Sequence, residues 1–425
     1  MVMRHSESSR PGFLRTDEAT AAHRPGWGMN KKEFRGERLK NARLFRGKTL
    51  TELADMTGIS KQSLSLYENN GNKPDYERGQ SIATALHFPY EFFLQEDACN
   101  TTTEVTYFRS LASATKMNRT SQSVKLEYVA KMYEALLTYV DFPAQNLPNV
   151  IFCGSDDEFD DIGNEKMLRD IEEIALRVRE HWGLGDGPID DLQYVLEKNG
   201  IIITGFDTNE DKIDAFSQRT VLESSEIYFI AVDQGSKPEG RIRFDMAHEL
   251  GHILLHPWSE SIDLITKEEF RNREKQANIF ASAFLLPRDS FGKDVQAYPT
   301  DLNYYLWLKK KWKSSIQSMM YRSNQIGAIL NNQFQYMMRQ VSKKGWRLKE
   351  PDDVPFFLNE NIFQGAIDLL WNERILSPAS LMRLFKQYGI TLYSADVEDL
   401  LHLKKGTLDI EDSLPRIIQL KRAQG

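Results

Sequence analysis

The sequence predicts a multidomain, mainly α protein: a small all-α domain, then an α+β domain, then a mostly helical C-terminal region. Three observations predict it. Two short helices with their own start and stop signals lie between residues 49 and 68. A helix near residue 250 carries two histidines one turn apart, and helical periodicity fills most of the chain beyond residue 300. At 425 residues the chain is long enough for two or three separate cores.

Residues 1–30 are polar, aperiodic and without a hydrophobic stretch, which predicts a disordered tail and no secretory signal. If translation begins at Met29, this stretch is instead upstream sequence.

Residues 31–93 have the spacing of five helices. Thr49-Leu-Thr-Glu52 reads as a capping box, Leu53 and Ala54 as a buried face, and Gly58 as a tight turn. Ser60 then caps a helix over 61–68. On it Leu64 and Tyr67 face inward, while Lys61, Gln62, Ser63 and Ser65 remain outside. Those outer residues, with Thr49 at the preceding cap, are the side chains expected to meet double-stranded DNA in its major groove. From Asn30 to Phe93 there are 11 Lys plus Arg against 8 Asp plus Glu, whereas the whole chain has net charge −7. A basic module on an acidic chain points to nucleic acid at that module.

Residues 94–164 read as a linker, with an extended element over 104–109 and an amphipathic helix over 121–141. Its stripe is Val124, Tyr128, Met132, Leu136 and Tyr139. Packing on its own chain is favoured over dimerisation. The acidic run Ser155–Asp161 reads as a solvated loop.

Residues 165–290 contain His248-Glu-Leu-Gly-His252 and, further on, Glu274-Lys-Gln-Ala-Asn278. Positions i and i+4 share a helix face, so both imidazoles can reach one ion, with Glu249 beside it as a general base. A catalytic zinc takes three protein ligands. His256 lies eight residues from His248, a rise of roughly 12 Å, too far to share its metal. Glu274 is better placed, on a second helix over 267–286 whose apolar face is Ala277, Phe280, Ala281, Phe284 and Leu285. Asn278, one turn on, is placed to hold a ligand histidine by its outer nitrogen. Residues 226–232 form a β-rich run that would offer an extended peptide an open strand edge.

Residues 291–425 predict helices near 300–312, 314–328, 331–343, 360–373 and 378–388. Between residues 301 and 350 stand 10 Lys plus Arg against 2 Asp plus Glu, interleaved with Tyr304, Trp307, Trp312 and Tyr321. Such a stretch is either a second nucleic-acid surface or a core with a solvated face, and the latter is slightly favoured. Only Cys99 and Cys153 occur, and no apolar run approaches the ~20 residues of a membrane helix. A cytoplasmic protein without a disulfide framework is expected. No Gly-rich phosphate loop, repeat or Ser/His/Asp arrangement is present.

The blocks Arg243-Phe-Asp-Met-Ala-His-Glu-Leu-Gly-His-Ile-Leu-Leu-His-Pro257 and Glu274-Lys-Gln-Ala-Asn-Ile-Phe-Ala-Ser-Ala-Phe-Leu-Leu-Pro287 resemble the ImmA/IrrE family of zinc metallopeptidases in content and order. The Gly-Ile-Ser turn and Tyr-Glu ending of the 61–68 helix resemble the Cro/C1-type, or XRE, helix-turn-helix family. Together they imply an all-α helix-turn-helix domain followed by an α+β zincin-like, gluzincin-like metallo-endopeptidase domain. They imply Zn2+ held by His248, His252 and Glu274, with Glu249 as base. Operator DNA, bound by a dimer at paired half-sites, and a repressor protein, cut in trans or in cis, are the implied partners. The alternative is a DNA-binding repressor or antitoxin whose peptidase fold is an inactive sensor or binding module.

Overall fold

The computed structural model describes residues 33–96, 102–108, 116–150, 161–206, 215–221, 226–233, 237–258 and 265–409. The expected N-terminal tail, most of the acidic run and both cysteines lie outside the described residues.

The first five helical segments are α1 (Gly36–Phe45), α2 (Leu50–Thr57), α3 (Lys61–Glu68), α4 (Tyr76–Leu86) and a 3-10 turn over Tyr90–Leu94. Local chemistry starts and stops them. Thr49 and Glu52 form a reciprocal capping box on α2, and Gly58 ends the helix at φ 70° in the left-handed region that glycine adopts freely. Ser60 accepts from the Ser63 amide to start α3, and Asp75 accepts from the Arg78 amide to start α4. Leu53, Leu64, Tyr67, Ile82, Ala83 and Leu86 are buried; Ala54 is half-buried.

Strand β1 (Thr102–Phe108) and helix α5 (Lys116–Leu136) follow. Val124, Tyr128, Met132 and Leu136 are buried on α5, but Tyr139 lies in the turn beyond the helix and is exposed. The 3.6-residue stripe therefore ends one turn earlier than the sequence predicts. Next come α6 (Asp161–His181), α7 (Leu192–Lys198), β2 (Ile201–Phe206), β3 (Ala215–Val221) and β4 (Glu226–Asp233).

The sheet runs β1-β3-β4-β2. The β1–β3 and β3–β4 pairs are antiparallel, and β2–β4 is parallel. Strand β4 is paired on both sides, so the open edge expected at residues 226–232 is absent. Its residues 227–233 are all buried because both sheet faces are covered, which explains a run of apolar residues without alternation.

The faces serve different cores. Ile201, Ile203, Ala215, Tyr228, Ile230 and Val232 point to one. It also contains α8 (Glu239–Leu255), α9 (Lys267–Leu285), α10 (Arg288–Val295), α11 (Leu302–Trp312), α12 (Ile316–Gln325) and α13 (Asn331–Lys343). Ile202, Phe216, Ile227, Phe229 and Ala231 point to the other. That core merges the helix-turn-helix helices, α5, α14 (Ile362–Asn372), α15 (Pro378–Gln387) and α16 (Ser394–Leu401). Helix α5 thus packs on its own chain, between α1 and the outer sheet face. In the basic stretch Trp312 is buried, while Trp307 and Tyr321 are exposed. Lys309 pairs with Glu350 and Asp353, Lys310 with Asp352, Lys311 with Asp294 and Lys313 with Asp190. These pairings favour the core-plus-solvated-face reading. No described helix is long and apolar enough to cross a membrane.

Candidate functional site

Helices α8 and α9 pack side by side, and Gly251 lets them approach. A Cβ there would lie 3.1 Å from Phe280 Cδ1 and 3.2 Å from Ala277 Cα. The closeness brings Glu274 of α9 to the histidines of α8. Glu274 Oε2 is 3.5 Å from His248 Nε2, its Oε1 is 3.2 Å from His252 Nε2, and the two Nε2 atoms are 3.0 Å apart.

Side chains behind the histidines orient them. His248 Nδ1 is 3.1 Å from Asn278 Oδ1, an acceptor, so the proton belongs on Nδ1 and Nε2 turns inward with its lone pair. His252 Nδ1 lies 2.9 Å from His256 Nδ1, and His256 Nε2 lies 3.0 Å from Gln276 Oε1. Gln276 accepts, His256 therefore donates at Nε2 and accepts at Nδ1, and His252 also presents Nε2 inward. His256 caps the C-terminus of α8 and acts on the centre through His252. Burial, then the neighbouring His252, holds the His256 ring well below the usual histidine range, so it stays neutral as that role requires.

The donor set fits a divalent cation. Two inward lone pairs 3.0 Å apart repel each other unless a positive charge lies between them. Zinc with ligands at ~2.0–2.2 Å in tetrahedral geometry places donor pairs roughly 3.3 Å apart. The three donors lie within 4.8 Å of one another. Burial pushes the Glu274 carboxyl up, but hydrogen bonds from His248 and His252 in their protonated form, and the charge of those rings, outweigh it and hold it at about 2; a cation at the centre takes that part when both rings are neutral. Glu274 is thus an anion at any ordinary pH.

Glu249 lies next to this cluster, and its Oε2 accepts a 2.6 Å hydrogen bond from Ser217 Oγ of β3. His248 and Glu249 are 0% exposed. A cavity of about 930 Å³ lies on the Glu274 and Asn278 side, between α8, α9, α12 and residues 346–353.

The side chains expected to meet DNA lie on other helices, α3 and the start of α2. Lys61 and Gln62 are exposed on α3, and Ser63 and Ser65 are half-buried. The Ser63 hydroxyl is 2.9 Å from the Ser60 hydroxyl, and Thr49 Oγ1 is engaged with Glu52, so Ser63 and Thr49 first serve the caps.

Ser217, Gly251 and Gln276 were not predicted from the sequence as parts of the site. Gly251 had a readable signal, since a glycine inside a helix costs about 1 kcal/mol and marks a close approach. Ser217 had none, because its role depends on how β3 packs over α8.

Fold and site define a two-part protein: a helix-turn-helix domain joined to a zincin-like helix pair that could hold a metal. Residues 39–93 match the helix-turn-helix family and residues 196–324 match the IrrE N-terminal-like domain, a metallopeptidase family. The chain is therefore a fusion of an XRE-type DNA-binding domain with an IrrE-like domain. No curated protein matches. Among solved structures, a Mycobacterium tuberculosis transcriptional regulator is similar at 20% identity with a TM-score of 0.28. The match covers 38% of this chain and 48%, about half, of that one.

Proposed function

We propose that this chain is a transcription regulator that binds operator DNA through α3 and hydrolyses a peptide bond of a repressor protein at a Zn2+ centre. The convergence of His248, His252 and Glu274 beside Glu249, with each histidine oriented from behind, carries this reading. Zinc bound there supplies Lewis acidity and eases the ionisation of water. Glu249 takes the proton of the attacking water and delivers it to the leaving amine. Ser217 holds one Glu249 oxygen, and so fixes the direction of the other. The buried surroundings exclude bulk water from the base. Lys61 and Gln62 read base edges or phosphates, and a second copy of the chain supplies the other half-site.

Metal content measured beside His252→Ala and Glu274→Ala, with cleavage followed on a second copy of this chain and on co-encoded repressors, tests the reading. About one zinc per chain, lost in both variants together with cleavage, is the expected result. Cleavage that persists in Glu249→Gln would sink it.

A second reading is favoured by the closure of the centre. Since His248 and Glu249 are 0% exposed, the domain could serve as a metal-dependent sensor. It predicts regulation that survives Glu249→Gln but not His252→Ala.

A further inference from the structure

Strand β3 forms one wall of the centre, through the bond from Ser217 to Glu249. It packs over α8, the helix that carries the histidines, yet it is not the edge of the sheet. The edge place is taken by β1, from the segment that follows the helix-turn-helix domain. The strands run antiparallel, with Phe108 opposite Phe216, Tyr107 opposite Ser217 and Thr106 opposite Gln218. One residue of β1 is therefore in register with the residue that touches the general base. If β1 were lifted away, β3 would present a row of backbone donors and acceptors alongside α8. Such an edge is a template for an extended peptide, which adds as one more strand.

We infer that Thr102–Phe108 occupies in cis the outer edge of β3, the place where an extended peptide would otherwise align antiparallel beside Glu249, and so blocks the centre. This rests on the peptidase reading above and adds to it a built-in block. Thr-Thr-Glu-Val-Thr-Tyr-Phe is rich in β-branched and aromatic residues, the composition of a strand occupant. The register shifts between Thr103 and Val105, and an interrupted ladder suits a strand that must leave. Glu249 is fully buried while β1 is in place. A peptide that replaces β1 strand for strand would be aligned beside Glu249 by main-chain hydrogen bonds, with little dependence on its side chains. The occupant follows directly from the DNA-binding domain in the chain, so release of the edge and movement of that domain are linked by connectivity.

The test uses the full chain carrying Glu249→Gln, Cys99→Ser and Cys153→Ser, and a fluorescent heptapeptide of the β1 sequence, with binding read by anisotropy. In one form Thr106→Pro and Tyr107→Pro are combined. Successive strand amides point to opposite sides, so one proline must fall on the ladder. In another, Thr103→Cys and Thr220→Cys, which are register partners, are oxidised or left reduced. The proline form should bind the peptide at least about tenfold tighter than the unchanged strand, and the reduced cysteine form at least about threefold tighter than the oxidised one. If the proline form loses its helical circular dichroism, the cysteine comparison decides alone. Equal affinity in oxidised and reduced forms, or failure of the cysteines to join, overturns the proposal. With Glu249 restored, a peptide that binds the freed edge but stays whole would sink the peptidase reading and leave the strand site standing.

Discussion

Gly251 shows how much of the centre depends on one absent side chain. It sits between the histidines of α8, where a Cβ would press on Phe280 and Ala277 of α9 at 3.1–3.3 Å. Gly251→Val should push the helices apart and draw Glu274 away from the imidazoles. Metal affinity, measured by competition with a chelator, should fall about 10–100-fold, the range seen when a ligand's support is lost. Gly251→Ala should fall by less, because Phe280 can yield a few tenths of an ångström. Glu197 offers a pH test away from the centre. Burial, opposed by hydrogen bonds to the Ile362 amide and Gln193, pushes its carboxyl up to about 8 from an ordinary 4.5. Between those values the folded chain binds more protons than the unfolded chain, so stability falls as pH rises through that window and levels off above it. Glu197→Gln keeps a neutral side chain at every pH. Its melting temperature should match the parent near pH 5 and exceed it by several degrees at pH 9, as read by calorimetry in both buffers.

Within single elements, much was legible because the deciding interactions span three or four residues. The capping box of α2, the Ser60 cap of α3, the glycine stop after α2 and the buried faces of α3, α4 and α9 follow from local spacing alone. So does the pairing of His248 with His252, which needs only a helix. What the sequence hid depends on partners far along the chain. Local spacing does not reveal strands β2 and β3, nor that β4 is an inner strand rather than an edge, because strand order is a tertiary property. Helix α16 was also missed; it is short, and it is held by Glu398, whose carboxylate accepts from the Gly406 and Leu408 amides. The same limit hid the pair of Arg43 on α1 with Glu68 on α3, which is two-pronged at 2.6 and 2.8 Å and almost wholly buried. Arg43→Met would leave the Glu68 carboxylate buried without its cation, at a cost of about 3–5 kcal/mol. Chemical denaturation should show that loss, and operator binding should fall with it because Glu68 ends α3, the helix proposed to meet the DNA. Replacing both residues, Arg43→Met with Glu68→Leu, should recover most of the stability.

At the scale of the whole molecule, the DNA-binding helices are part of a larger core. Phe45 of α1 packs edge-on against Tyr128 of α5 at 5.5 Å, and α5 in turn packs on the sheet that carries Ser217. From the other end of the chain, Asp396 of α16 takes both prongs of Arg46 at 2.7 and 2.8 Å, while Arg46 also donates to the Leu86 and His87 carbonyls at the end of α4. A domain on a free tether would melt by itself, giving two calorimetric transitions. Here the shared core predicts one, in which the helix-turn-helix helices and the sheet unfold together. Asp396→Ala removes a half-buried, two-pronged partner and should cost about 1–2 kcal/mol. Because Arg46 keeps its two carbonyl acceptors, the loss should be cooperative: the single transition moves down by a few degrees without splitting. A new low-temperature transition in that variant, with the IrrE-like domain unchanged, would mean that the DNA-binding helices are held to the rest by little more than this ion pair.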